Sequence, residues 1–364
     1  MTKKTSTVLF ASAKPERLER DRTLPARFMR LLSRLPIQKR VKGKTVAIKM
    51  HVGGELGYST IPPLFVKLLV DHVKKGNPAD VFVTDGSVKG ASDRGYAKET
   101  VGARLVSAVG EDGKNVVEQK TGWKPLDTVL IGKPIVDADV LINFVHVKGH
   151  GDCGFGGACK NLAMGCVPQS ERRKMHNLEG KPVWIRAKCT HCKKCIKECK
   201  MHANSFSASG EYEIFWHNCS GCLHCMLACP TGAIQLATQE FGLFQEGLAR
   251  VAKQVLDSFK PASVFNINML LQVTIFCDCW GFTTPALVPD IGIMASEDVV
   301  AVDKASLDAI KVKDLIPGSI TPPYKLGKGK HLFEKLHAKN PYSQVKALER
   351  LGAGSSRYRV VVVK

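Results

Sequence analysis

Short β-branched runs alternate with stretches that are apolar at helical spacing along most of this chain. Ser6–Ala11 predicts a strand, and Pro15–Leu35 a basic amphipathic helix interrupted at Pro25. Thr45–His51 is a β-branched run of the buried-strand type. The turn after it, Val52-Gly-Gly-Glu-Leu-Gly57, lets the backbone approach a ligand. Pro62–Lys75 is apolar at helical spacing and ends at Gly76, as a C-cap requires. Asp80–Thr84 predicts a strand, Tyr96–Val109 a helix, and Asp139–Val147 the strongest strand in the chain. Further on, Gln239–Phe259, Val302–Ile310 and Tyr342–Leu351 read as helices. Ser263–Asn268, Gln272–Phe276 and Arg357–Val363 read as strands. The alternation predicts an α/β fold, with a mainly parallel sheet covered by helices.

Residues 185–237 break that rhythm with a cysteine-dense stretch too short of apolar residues to build a core. The expected organisation is an α/β domain in two parts, 1–184 and 238–364, with a small domain at 185–237 inserted between them. No apolar run approaches the roughly 20 residues that span a bilayer. The N-terminal apolar run is broken by Ser and Thr and soon meets Pro15, Glu16 and Arg17, so it reads as a strand rather than a signal peptide. A cytoplasmic location is expected.

The chain has 13 cysteines, an odd number whose spacing suits metal ligands rather than disulfides. Cys189, Cys192, Cys195 and Cys199 form one run, and Cys219, Cys222, Cys225 and Cys229, followed by Pro230, form the second. Both obey C-x2-C-x2-C-x3-C, the bacterial two-cluster spacing. Three cysteines so spaced wrap one cubane, and the fourth points past a short turn to the other. One 4Fe–4S cluster is therefore expected on Cys189, Cys192, Cys195 and Cys229, the second on Cys219, Cys222, Cys225 and Cys199. The rival is a pair of zinc sites, which have no use for two matched four-cysteine runs.

Charge changes the picture of partners. Lys and Arg number 53 against 33 Asp and Glu, a formal charge of +20. Two clusters at about −2 each leave about +16. Such a surface attracts an acidic electron-transfer protein such as a ferredoxin, an anionic small molecule, or nucleic acid, though a merely solvated surface fits equally. Nucleic acid ranks last, because no reading motif is present and aromatics make up only 7%.

The large domain holds a second concentration of chemistry, His146-Val-Lys-Gly-His150 running on to Cys153, Gly154, Gly156, Gly157, Cys159, Lys160, Asn161 and Cys166. Glycines between a strand and a helix expose N–H groups to an anion, and Lys160 adds charge. Lys49 and His51 end one predicted strand and Asp85-Gly-Ser87 another, where open α/β sheets bind ligands. Cys277 and Cys279 are spaced too closely for an ordinary disulfide; with Cys166, and Cys153 or Cys159, they are candidates for an additional metal or a redox-active thiol group, against the plainer reading of buried free thiols.

The two cysteine runs resemble bacterial-type 2×4Fe–4S ferredoxins over about fifty residues. The first departs from that pattern with Lys200 in place of Pro and His191 where the second run has Gly221. Over most of its length the chain resembles the iron–sulfur-center proteins of domain-of-unknown-function family 362. The shared pieces are Ile48-Lys-Met-His51, Gly154-Phe-Gly-Gly-Ala-Cys-Lys-Asn-Leu-Ala-Met-Gly-Cys166, Cys277-Asp-Cys279, Pro289-Asp-Ile-Gly292 and Ala301-Val-Asp-Lys-Ala305. The resemblance implies an α/β domain with a cluster module, and no particular reaction. The Gly-Phe-Gly-Gly and Lys160 pattern is similar to the glycine-rich loop of nickel-dependent lactate racemases, which keeps a small acid among the substrates considered. The expected function is an iron–sulfur oxidoreductase whose clusters feed a site made by Lys49, His51, His146, His150 and Lys160. The alternative is a non-catalytic electron carrier, or a metal or cofactor maturation factor.

Overall fold

The computed structural model describes residues 5–53, 57–178, 182–199, 201–215, 219, 223–236, 242–280, 283–321 and 324–364. Its centre is an eight-stranded sheet. The strands are β1 (Ser6–Ser12), β2 (Thr45–Lys49), β3 (Asp80–Asp85), β4 (Arg104–Ser107), β5 (Val140–His146), β6 (Val264–Leu270), β7 (Gly292–Ser296) and β8 (Tyr358–Val362). Their order across the sheet is β8-β1-β7-β6-β5-β2-β3-β4. Every pairing is parallel except the two made by β7, which alone runs against the rest. β5 is buried at all seven positions, as a central parallel strand covered on both faces must be.

Helices cover both faces. Phe28 from α1 (Leu24–Arg34) and Phe65 from α2 (Pro63–Lys74) pack on one core with Val46, Ile48, Ile142 and Ile267. On the other face lie α3 (Ala158–Gly165), α4 (Leu243–Asp257) and α5 (Val299–Ala309), over Ala47, Leu141 and Val145.

Three expectations fail locally. Pro25 starts α1 rather than interrupting a longer helix, because the first turn needs no N–H from it. Tyr96–Val109 is a four-residue helix, Lys98–Val101, stopped by Gly102 at φ +78°, and then strand β4. Gln272–Phe276 is not a strand. The chain leaves the sheet after Leu270, turns at Gln272 with φ +46°, and returns as the antiparallel β7.

The cysteine stretch is built twice. Pro182–Trp184, Lys194–Lys197 and Asn204–Phe206 recur thirty residues on as Tyr212–Ile214, His224–Leu227 and Ile234–Leu236. Pro182–Trp184 pairs with Ile234–Leu236, and Asn204–Phe206 with Tyr212–Ile214, so the outer strands of the two copies close on each other. Lys193 (φ +57°) and Leu223 (φ +60°) turn the chain at the same place in each copy. Among the described residues the apolar centre is small: Cys195, Cys225 and Ile234 cluster there, with Ala203, Leu223 and Ala233 also buried in the stretch.

Candidate functional site

The chain passes from β2 outward to β3 and β4, and from β5 the other way to β6. The carboxyl ends of β2 and β5 therefore open a crevice of the kind that binds ligands in α/β sheets. A cavity of about 160 Å3 lies there. Lys49, at the end of β2, is fully buried. Its ammonium meets Asp85 Oδ1 at 3.1 Å and donates to Asn161 Oδ1 at 2.7 Å and the Met50 carbonyl at 3.2 Å. His51 Nδ1 meets Asp85 Oδ2 at 2.8 Å. At the end of β5, His146 Nδ1 lies 3.0 Å from Asp278 Oδ2, which also takes Lys148 at 3.1 Å. Lys160 Nζ reaches Cys277 Sγ at 3.2 Å and lies 4.0 Å from Cys279 Sγ. His150, Gly156, Gly157, Asn161, Arg172 and His176 complete the wall.

Burial and charge set the protonation of these groups. Burial alone would raise the Asp85 carboxyl, but Lys49, His51 and Arg172 hold it well below the usual carboxylate range. Asp85 in turn outweighs the burial of His51 and raises its pKa. The hydrogen bond from Cys279 and the Lys160 ammonium hold the Cys277 thiol well below its ordinary value against burial, while the same contact raises Cys279. Lys160 is raised, because the neighbouring sulfurs outweigh its burial. His150 is held well below its ordinary value by burial and by Lys160, and burial takes His176 down to about 4.

Helix α3 carries Lys160 and Asn161, and all eight of its residues are buried. A buried amide chain fixes it to the sheet. Asn161 donates to Asn143 Oδ1 (2.7 Å) and to the Lys49 carbonyl (3.2 Å), and Asn143 donates to Asn266 Oδ1 (3.0 Å). Its N-terminus is held by Asp303 of α5, which accepts from the Ala158 and Cys159 N–H groups at 2.7 and 2.9 Å and from Asn268 at 2.8 Å. These first-turn donors are thus satisfied by a carboxylate of the chain itself and do not face an anionic ligand. Asp303→Ala leaves three buried donors without this acceptor and is expected to cost about 3 kcal/mol. Denaturant melts check this, with Asp303→Asn retaining part of the loss; a change below about 0.5 kcal/mol would contradict it.

Two glycines are required by close approach. A Cβ at Gly165 would collide with Lys49 Nζ and Asp85, and one at Gly157 with the Phe155 ring and Asp303. Gly154 does not line the cavity. At φ +76° it packs against the Lys339 backbone, because the chain turns there before the short strand Gly154–Gly156.

In the cysteine stretch, Cys189, Cys192, Cys195 and Cys229 line one cavity. Backbone N–H groups donate to the sulfurs: His191 to Cys189 (3.4 Å), Ala203 to Cys199 (3.2 Å) and Ala233 to Cys229 (3.2 Å). Burial raises the pKa of the Tyr212 hydroxyl, and the nearby sulfurs of Cys225, Cys195 and Cys199 add to the shift. Cys219 lies at the start of the second copy, and Cys222, Gly221 and Lys200 fall outside the described residues. Converging thiols with N–H donors aimed at the sulfurs fit cubane ligation.

The profile of the family described as Domain of unknown function (DUF362) matches residues 46–308. The chain belongs to that family. The match covers β2 to β6, α3, the cysteine stretch and all of the residues around the crevice. The chain is 40% identical over 55 residues to the Hdr-like menaquinol oxidoreductase iron–sulfur subunit 1 of Archaeoglobus fulgidus, covering 15% of this chain and 20% of that protein. It is 33% identical over 60 residues to pyruvate synthase subunit PorD of Methanocaldococcus jannaschii, covering 16% of this chain and 70% of that protein. Two solved structures are similar at low identity. The lactate racemase apoprotein from Thermoanaerobacterium thermosaccharolyticum aligns at TM-score 0.36 and 15% identity, over 67% of this chain and 49% of that one. A Thermotoga maritima protein from the Northeast Structural Genomics Consortium aligns at TM-score 0.39 and 12% identity, over 70% and 52%. The chain thus spans about half of each solved structure and a fifth of the first relative.

In this DUF362 chain the crevice gathers Lys49, His51, His146, His150, Lys160, Gly156, Gly157, Asn161, Cys277 and Cys279, all singled out from the sequence. Cys166 is not with them. It caps the end of α3, where burial pushes its thiol up to about 12 near Lys49 and Asp85. The side chain that joins the two sulfurs is instead His150, its ring nitrogen and both sulfurs lying within 4.8 Å of one another. These three could hold a metal ion, and the Lys160 ammonium stands beside both sulfurs. Sequence reasoning passed over Lys148, Arg172, His176 and Asp278. Only Asp278, between the two cysteines, carried a local signal. Among the described residues no helix is long and apolar enough to cross a membrane.

Proposed function

We propose that this chain is an iron–sulfur redox protein that passes single electrons through two 4Fe–4S clusters to an anionic substrate or cofactor in the crevice. One cluster is assigned to Cys189, Cys192, Cys195 and Cys229, and the other to Cys219, Cys222, Cys225 and Cys199. The similarity to an iron–sulfur subunit and to a synthase subunit accords with electron transfer in a larger assembly. When bound, the clusters supply one-electron steps at low potential.

The observation that carries the reading is a contact chain between the two parts. His224, next to Cys225, donates from Nε2 to the His337 carbonyl at 3.4 Å, and His337 Nε2 donates to the Ile275 carbonyl at 2.9 Å. Ile275 lies two residues before Cys277, so a short hydrogen-bonded path leads from the cluster helix to the crevice. Within the crevice, Lys49, Lys148, Lys160 and Arg172 face the two carboxylates Asp85 and Asp278, an excess of positive charge suited to an anion. At the first copy, Lys188, Lys193, Lys194 and Lys197 are exposed and give an acidic donor such as a ferredoxin a docking face.

Anaerobic purification is expected to yield roughly eight irons with matching sulfide and a coupled-cluster EPR spectrum on reduction. Reduction by a reduced ferredoxin is expected to slow as ionic strength rises. A colourless, iron-poor preparation, or a salt-independent rate, would sink the reading. Intact clusters with no small-molecule turnover, alongside a stable complex with an acidic client, would favour the carrier or maturation role.

A further inference from the structure

Two sulfurs of unlike character share the crevice. Cys277 is buried and Cys279 is exposed, and both stand beside the Lys160 ammonium at 3.2 and 4.0 Å. They lie within 4.8 Å of each other. They are separated by one residue at a short 3-10 turn, Asp278–Trp280. A disulfide needs about 2.05 Å between sulfurs, so closing one across this single-residue spacing requires both side chains to rotate toward each other.

The surroundings provide what a thiol couple requires. The ammonium stabilises one sulfur as the thiolate, the nucleophilic form. His51 Nε2 is buried with no hydrogen-bond partner among the described residues, while its Nδ1 is fixed by Asp85 at 2.8 Å. His51 and Cys277 line the same cavity, and the sulfur is one of the groups that raise the basicity of this imidazole, which suits the ring to carry a proton there. Three other cysteines near α3, Cys153, Cys159 and Cys166, are fully buried, and burial holds their thiols protonated. They are inert by comparison. Among the described cysteines outside the two cluster runs, only the pair at 277 and 279 joins a stabilised thiolate to a neighbour that solvent reaches.

We propose that Cys277 and Cys279 are a dithiol–disulfide couple that collects electrons from the clusters in pairs. The inference rests on the reading of the crevice as the end of the electron path. Opening the disulfide breaks one S–S bond and consumes two electrons, one from each reduced cluster, and one proton. The products are the Cys277 thiolate beside Lys160 and the Cys279 thiol, and both clusters are left oxidised. In the other direction, the Cys277 thiolate attacks a sulfur of a substrate disulfide and expels one substrate thiolate. Cys279, losing its proton, then displaces the second, which closes the internal disulfide and leaves the substrate reduced to two thiols. The cationic wall selects a small anionic disulfide as that substrate.

The test uses the anaerobically purified full chain. One equivalent of the thiol oxidant diamide is added, free thiols are trapped with iodoacetamide, and peptides are mapped by mass. The expected result is loss of both adducts from Cys277 and Cys279, with that peptide lighter by two hydrogens, while Cys153, Cys159 and Cys166 remain thiols. Two equivalents of reduced methyl viologen should then restore both adducts in the wild type, and at least tenfold more slowly in Cys229→Ala, whose first cluster is incomplete. Persistent alkylation of both cysteines after diamide, or a metal retained at this pair, overturns the couple. A disulfide that forms but reopens equally fast in Cys229→Ala supports the couple and overturns its supply by the clusters.

Discussion

Replacing Asp85 with alanine is expected to destabilise the protein by about 3–5 kcal/mol, the cost of breaking one side of a buried ion pair. Lys49 is wholly buried and would keep only Asn161 and the Met50 carbonyl as partners. The Val52 and Gly86 N–H groups, which donate to Asp85 at 3.1 and 2.9 Å, would lose their acceptor as well. Denaturant unfolding of wild type and variant measures the difference, and a loss below about 1 kcal/mol would show that the pair is not what holds β2 to β3. Asp85→Asn should fall between them, because it keeps acceptors and loses only charge. The pH dependence follows from the depressed carboxyl. Below about 3.9 the unfolded chain binds a proton that the folded chain refuses. The stabilisation is therefore complete above that value and is lost as pH falls through it toward the folded pKa. The alanine variant should lack this part of the acid sensitivity.

The same residues show how far sequence alone reaches. Lys49, His146 and the Cys277-Asp-Cys279 turn were legible because several polar clusters coincide at the ends of apolar, β-branched runs. The parallel sheet was legible for the same reason, from runs such as Val140–His146 that are buried throughout. What the pattern hid was long-range. Asp303 lies mid-helix in α5 with no local mark of its bond to α3, and Asn143 and Asn266 look like faults in apolar strands until the amide chain between them is seen, as does Asn268 until its bond to Asp303 is. β7 was missed because the turn at Gln272 follows an apolar run that continues without a visible break. Lys148 and Arg172 reach the crevice from a short strand and a surface helix, and neither periodicity points inward.

Changing Cys229 to alanine is expected to remove about half of the iron, or leave a three-iron cluster in that place, and to alter the EPR signal that Cys189→Ala also alters. The geometry supports this pairing. Cys229 shares a cavity with Cys189, Cys192 and Cys195, although it belongs by sequence to the second run. If each run served its own cluster, Cys229→Ala would share its spectrum with Cys219→Ala instead, and the crossed arrangement would be wrong. The effect should extend beyond metal count. With so few buried apolar residues, the two copies depend on strand pairing between Pro182–Trp184 and Ile234–Leu236 and on whatever ties the sulfurs together. Crossed ligands would tie the first copy to the last turn of the second, which would make ligation and folding one equilibrium there. Loss of Cys229 should therefore expose the 182–236 stretch to proteolysis while α4 and the sheet, with a large core of their own, stay protected.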